Sequence, residues 1–152
     1  MKTLTQNKQF NIFQILTSIL ILLWSYTTIS KLSNLGRFAN EMHNQSFDAD
    51  FANLLIRAVP FVEICTIILL LFNKSKMFGL ACSLILLTVF TIYIILVLFN
   101  FYDHVPCSCG GVLRSMTWNT HLWFNLFFIF LNVLALLLGR RMGIQADKEI
   151  KI

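Results

Sequence analysis

Charge is what this chain has least of. Only 12% of its 152 residues are Asp, Glu, Lys or Arg, about half the share of an ordinary soluble domain. That is too little polar side chain to cover a water-facing surface, so a soluble globular protein is excluded. Acids are scarcer than bases, seven against 12, for a net charge of +5. The bases do not gather into one basic face. They fall in gaps between apolar runs, where membrane topology uses them, so a nucleic-acid partner is excluded too. The chain also lacks a phosphate-binding P-loop, the glycine pattern of dinucleotide sites and zinc-finger spacing. It has no internal repeat and no low-complexity tract.

What the chain does have is oil. Hydrophobic residues make up 57% of it, and its mean hydropathy is +0.74. A bilayer core about 30 Å thick needs about 20 apolar residues at helical rise. Four runs qualify, at about 10–30, 52–72, 78–101 and 117–138. In lipid every backbone group must be paired internally, so a span is a helix or part of a closed barrel. These runs are too long and continuous for barrel strands. The expected fold is an all-α polytopic membrane protein, a four-helix transmembrane bundle making one domain of residues 1–152. The first run exceeds a signal-peptide core and no A-x-A-like cleavage site follows it, so it reads as a retained helix.

Orientation follows from the bases near the spans. Lys2, Lys8, Lys74, Lys76, Arg140 and Arg141 fall on one side, against Lys31, Arg37 and Arg114 on the other. This predicts both termini in the cytoplasm of a bacterium, in its inner membrane, with the 36–51 loop and the loop after the third span facing the periplasm. The first loop is expected to lie along the interface.

The second outward loop carries H-V-P-C-S-C-G-G, residues 104–111. On the oxidising side of a membrane, disulfides form and persist. Cys107 and Cys109 stand one residue apart and can bridge only through a contorted backbone, and off-ideal geometry makes a disulfide easier to reduce. Such a bond is a good oxidant and a poor staple. Gly110 and Gly111 permit the unusual dihedrals, and a charged His104 nearby would lower a thiol pKa. This favours a redox pair. A static bridge is a weaker explanation, because so short a loop constrains the unfolded chain little. Metal binding by Cys107, Cys109, His104 and His121 stays open, although zinc pairs usually have two or more residues between their cysteines. Cys65 and Cys82, inside the second and third spans, read as buried small hydrophobes.

Ionisable groups inside a span are costly and tend to face the bundle interior. Glu63 is the clearest case. Lys31 and Arg57 lie towards the outer ends of their spans and form a candidate charged cluster with Glu63 in the outer half, the alternative being that both bases snorkel. Pro60, three residues before Glu63, is expected to kink the second span. In the fourth span Trp118, His121, Asn125 and Asn132 recur at spacings of three, four and seven, which is one helix face. Such a stripe should point at neighbouring helices, where interhelical hydrogen bonds are common.

S-K-L at Ser30–Leu32, P-F-V-E at Pro60–Glu63, C-S-C-G-G-V-L from Cys107, and M-T-W-N-T-H-L-W-F-N-L-F-F from Met116 line up along nearly the whole chain. Together they resemble the MauE/DoxX-like family, and the C-x-C-G pattern favours the MauE (methylamine-utilisation) branch. The resemblance implies a four-helix membrane bundle linked to thiol–disulfide chemistry. It also implies a periplasmic thioredoxin-like partner and the maturation of a disulfide-rich enzyme. Cys107 and Cys109 would be the redox pair, and Lys31 and Glu63 the family's polar positions. This chain holds no thioredoxin-like domain, so that partner is expected as a separate protein.

The leading expectation is therefore a thiol–disulfide redox protein that exchanges disulfides with that partner or with a secreted substrate. A quinone near Glu63, His121 and Trp118 is a candidate electron carrier. The alternatives are a non-catalytic subunit that anchors or assembles a partner enzyme, and a metal handler. A bundle this small admits a homo-oligomer.

Overall fold

The computed structural model describes residues 2–45, 48–99 and 117–150. Its elements are five helices: α1 Lys2–Leu32, α2 Leu35–His43, α3 Ala49–Leu71, α4 Lys76–Leu98 and α5 Trp118–Ile150. Four of them are long and apolar enough to cross a membrane, over Asn7–Leu32, Ala49–Leu71, Lys76–Leu98 and Trp118–Met142. The protein is an all-α, multi-pass membrane protein.

The sequence explains why these runs are helical. They contain one internal proline, Pro60, which is buried within an otherwise continuous α3. Hydroxyls that would be stranded in lipid bond back to their own helix. Thr17 donates to the Phe13 carbonyl at 2.8 Å, Thr66 to Val62 at 2.8 Å, and Thr91 to Leu87 at 2.6 Å. Such bonds satisfy the side chain without leaving the helix.

The helices alternate in direction. α1 packs on α3 and α5, and α4 packs on α3 and α5. The tight α3–α4 turn lies at the basal end, with the start of α1 and the end of α5. The α2 segment, the end of α4 and the start of α5 belong to the opposite, distal end. At the basal turn a Cβ on Gly79 would lie 2.8 Å from the Leu70 nitrogen and 2.9 Å from the Leu69 carbonyl carbon. Only glycine allows α4 to approach the α3 backbone that closely.

The core is a stripe of Phe13, Leu16, Leu20 and Trp24 on α1, met by Leu70, Leu80, Leu87 and Ala135. Large apolar side chains also point outward all round the bundle. Phe78 is 73% exposed and Leu22 69%. An aqueous surface does not tolerate so much of this, whereas lipid is its natural solvent.

Three boundaries differ from expectation. α1 and α5 run past the apolar spans at the basal end, because polar helix formers extend a helix that the bilayer has already nucleated. The third span, α4, ends at Leu98, with Phe99 as its cap. The distal loop after α1 contains a helix of its own, α2. Asn34 caps it by accepting from the Arg37 backbone N–H at 3.4 Å, and Phe38 and Met42 are buried on its inner face. A one-sided apolar pattern over only nine residues is a weak signal in a sequence, but α3 gives that face something to pack on.

Candidate functional site

Two buried polar clusters cross the bundle. The first is uncharged. The Trp24 indole N–H of α1 donates to the Ser83 hydroxyl of α4 at 2.8 Å. With the Asn132 amide oriented to satisfy both its ends, its Oδ1 accepts from that hydroxyl at 2.6 Å and its Nδ2 donates to the Leu80 carbonyl at 3.1 Å. Trp24, Ser83 and Asn132 are 2%, 0% and 0% exposed. Each partner thus answers another, on three different helices, and nothing polar is left for a ligand. This is packing specificity.

The second cluster is charged. Glu63 of α3 is fully buried. Its Oε1 lies 2.7 Å from the Lys31 ammonium, and its Oε2 accepts from the Thr28 hydroxyl at 3.0 Å. Lys31 also approaches the Thr27 carbonyl at 3.4 Å and lies 6.0 Å from the centre of the Phe38 ring. Burying two charges costs several kcal/mol each unless geometry and hydrogen bonds compensate. Here both carboxylate oxygens are engaged and the ammonium sits against one of them.

Depth can be read along the helices. Glu63 is eight residues from the basal end of α3, about 12 Å of rise. Thr28 is four residues beyond Trp24, which meets Ser83, itself seven residues into α4; this route gives about 16 Å. In a core about 30 Å thick, the carboxylate is close to the centre. The long Lys31 side chain reaches inward from the end of α1 to meet it.

The three-charge cluster is corrected. Arg57 is exposed and takes part in no salt bridge among the described residues. It precedes Glu63 by six residues, which at 3.6 residues per turn places it about 120° round the helix.

The polar stripe on α5 faces inward as its spacing suggests. His121 and Asn125 are buried and Trp118 is half-buried. The His121 Nδ1 is buried without a hydrogen-bond partner among the described residues. Asn125 is seven residues distal to Asn132, about 10 Å, which sets it on the distal side of Glu63. His121 lies a further turn towards the distal end. Cys65 and Cys82 are half-buried free thiols. Cys107, Cys109 and His104 lie outside the described residues. Among the described residues no cluster of His, Cys, Asp or Glu has the makings of a metal site.

Sequence reasoning missed Thr28, Phe38 and the Trp24–Ser83–Asn132 knot. Thr28 was discoverable, since it stands one turn before Lys31 on the same face. It also missed a groove of about 390 Å³ between the end of α1 and α2, lined by Tyr26, Ile29, Ser30, Lys31, Arg37 and Glu41 among others.

Four apolar spans around a central ion pair define a polytopic membrane protein with a built polar interior. The family can be named as well. The family model for methylamine utilisation protein MauE matches residues 9–138, and this chain belongs to that family. No curated protein and no solved structure matches it.

Proposed function

We propose that this protein performs thiol–disulfide exchange at the membrane surface through Cys107 and Cys109, with a separate thioredoxin-like protein or a secreted cysteine-containing protein as partner. The observation that carries the reading is family membership together with the C-S-C-G-G motif in the connection from α4 to α5. That connection starts and ends at the distal end of the bundle, the end closer to Lys31. The bases concentrate at the basal end, which the positive-inside rule places in the cytoplasm. The working thiols then belong to the periplasmic face of a bacterial inner membrane. A thiolate on one protein attacks the disulfide of the other, a mixed disulfide forms, and the second thiol of the attacking pair resolves it. His104 assists by favouring the thiolate.

Alkylation trapping in intact cells with a mass-shifting maleimide tests this. The pair should be a mixture of dithiol and disulfide that shifts with mild reductant. A mixed disulfide should accumulate when one of the two cysteines is replaced by Ser. A pair that stays wholly reduced and unreactive, or wholly locked, would leave assembly of a partner enzyme as the better reading.

A further inference from the structure

The groove between α1 and α2 stands at a lipid boundary. Tyr26 and Ile29 on its wall belong to the last turns of the first span, which ends at Leu32, and α2 starts just beyond, at Leu35. That is the level at which hydrocarbon gives way to headgroups. Tyr26 is 47% and Ile29 65% exposed, so this wall is open to acyl chains. The volume of about 390 Å³ is within the range of small-molecule sites, about 300–1,000 Å³.

Three charged residues line the groove, Lys31, Arg37 and Glu41, and they are not equivalent. Lys31 already has its counter-charge, because Glu63, which is not part of the lining, lies 2.7 Å from its ammonium. Arg37 and Glu41 have none. They stand one turn apart on α2, a spacing at which such side chains can pair, yet Lys31–Glu63 is the only salt bridge among the described residues. Both bond to the described residues through their backbone alone, the Arg37 N–H to Asn34 and the Glu41 carbonyl to Gln45. Glu41 is half-buried, so its carboxylate has lost water that a bound cation would replace. Ser30, Ser33 and Asn34 line the groove on the Arg37 side. The Ser33 hydroxyl is spent on the Ser30 carbonyl at 3.2 Å, which leaves the Ser30 hydroxyl and the Asn34 amide N–H groups as donors.

The groove therefore offers a cation with neutral donors beside it and, one turn away, a carboxylate. We infer that it binds one phospholipid with a zwitterionic head and a primary ammonium, a phosphatidylethanolamine. The phosphate takes the Arg37 guanidinium, whose planar fork suits it, together with the Ser30 and Asn34 donors. The ammonium donates to Glu41, and the acyl chains leave past Tyr26 and Ile29. A wholly anionic head would leave Glu41 unanswered. A choline head would bring it a cation with no N–H to donate. The site is separate from the thiol chemistry and stands or falls without it.

The test uses the full chain, delipidated in detergent, and native mass spectrometry with equal amounts of dioleoyl-phosphatidylethanolamine, dioleoyl-phosphatidylcholine and dioleoyl-phosphatidylglycerol. One phosphatidylethanolamine per chain should be retained at about tenfold lower concentration than either competitor, the worth of one charge-assisted hydrogen bond. Glu41→Gln should bring phosphatidylethanolamine down to the level of phosphatidylcholine and leave the latter unchanged. Arg37→Gln should weaken all three. Both variants should melt with the parent chain in lipid-free detergent, since neither side chain holds the fold, so loss of binding is not loss of structure. Free O-phosphoethanolamine, which lacks the acyl chains, should not displace the lipid. Equal retention of the three lipids would overturn the proposal, and so would a phosphatidylethanolamine preference that survives Glu41→Gln. Tightest binding of phosphatidylglycerol would replace it with an anion site. Displacement by O-phosphoethanolamine would replace the lipid with a soluble ligand.

Discussion

Two lysines are drawn into this bundle, one near each end, and they are handled differently. Lys76, at the start of α4, is 8% exposed and donates to the side-chain oxygens of Gln14 and Asn73, both at 2.9 Å. It lies 5.9 Å from the centre of the Phe13 ring. Its partners are neutral, and it sits at the basal rim where water is close. Lys31 reaches a full counter-charge inside the bundle, the wholly buried Glu63 carboxylate at 2.7 Å. At the rim an ammonium needs only dipoles and works as a clasp between α1 and the α3–α4 turn. Further in, neutral dipoles do not suffice, so a carboxylate accompanies it. A buried ion pair is weak evidence for stability; its presence within an apolar span points to use.

That contrast can be broken deliberately. The largest effect is expected from Lys31→Met, which leaves Glu63 buried and unpaired and should cost about 3–5 kcal/mol. The apparent Tm in detergent reads this. Adding Glu63→Leu to Lys31→Met should recover most of that stability, because apolar residues replace a buried pair at little cost, while thiol–disulfide exchange in cells stays impaired. Recovery of both would mean that the pair is only structural. Ser83→Ala removes the shared atom of the uncharged knot and should cost about 1 kcal/mol, since interhelical hydrogen bonds in membranes average about 0.6 kcal/mol. It should leave thiol chemistry intact. Lys76→Met should do least, well under about 1 kcal/mol, because its bonds to Gln14 and Asn73 compete with rim water. The melting shifts of these variants, set side by side, rank the sites.

The spans were legible because apolar length is a one-dimensional property that a bilayer reads directly. The α5 stripe was legible for a similar reason: His121, Asn125 and Asn132 share a face whatever surrounds them. Glu63 announced itself by cost alone. What the sequence hid was pairing between helices. Nothing in the spacing of Trp24 or Ser83 says that they meet. Arg57 and Lys31 looked equivalent until helix phase separated them, because distance along a chain was standing in for direction around an axis. α2 was hidden because its helicity depends on a surface that α3 supplies.

The Lys31–Glu63 pair also sets an order of events in biogenesis. α1 emerges from the ribosome first and carries its lysine near one end, where a long side chain can find the interface. α3 follows with a carboxylate at its centre, which has no such escape. The counter-ion is already in the membrane when the carboxylate arrives. Partition of α3 into lipid is thus linked to its meeting α1, and the pair crosses the membrane field as a neutral unit. The buried charge thus acts as a checkpoint for assembly: a bundle that mispairs its helices strands Glu63 in oil.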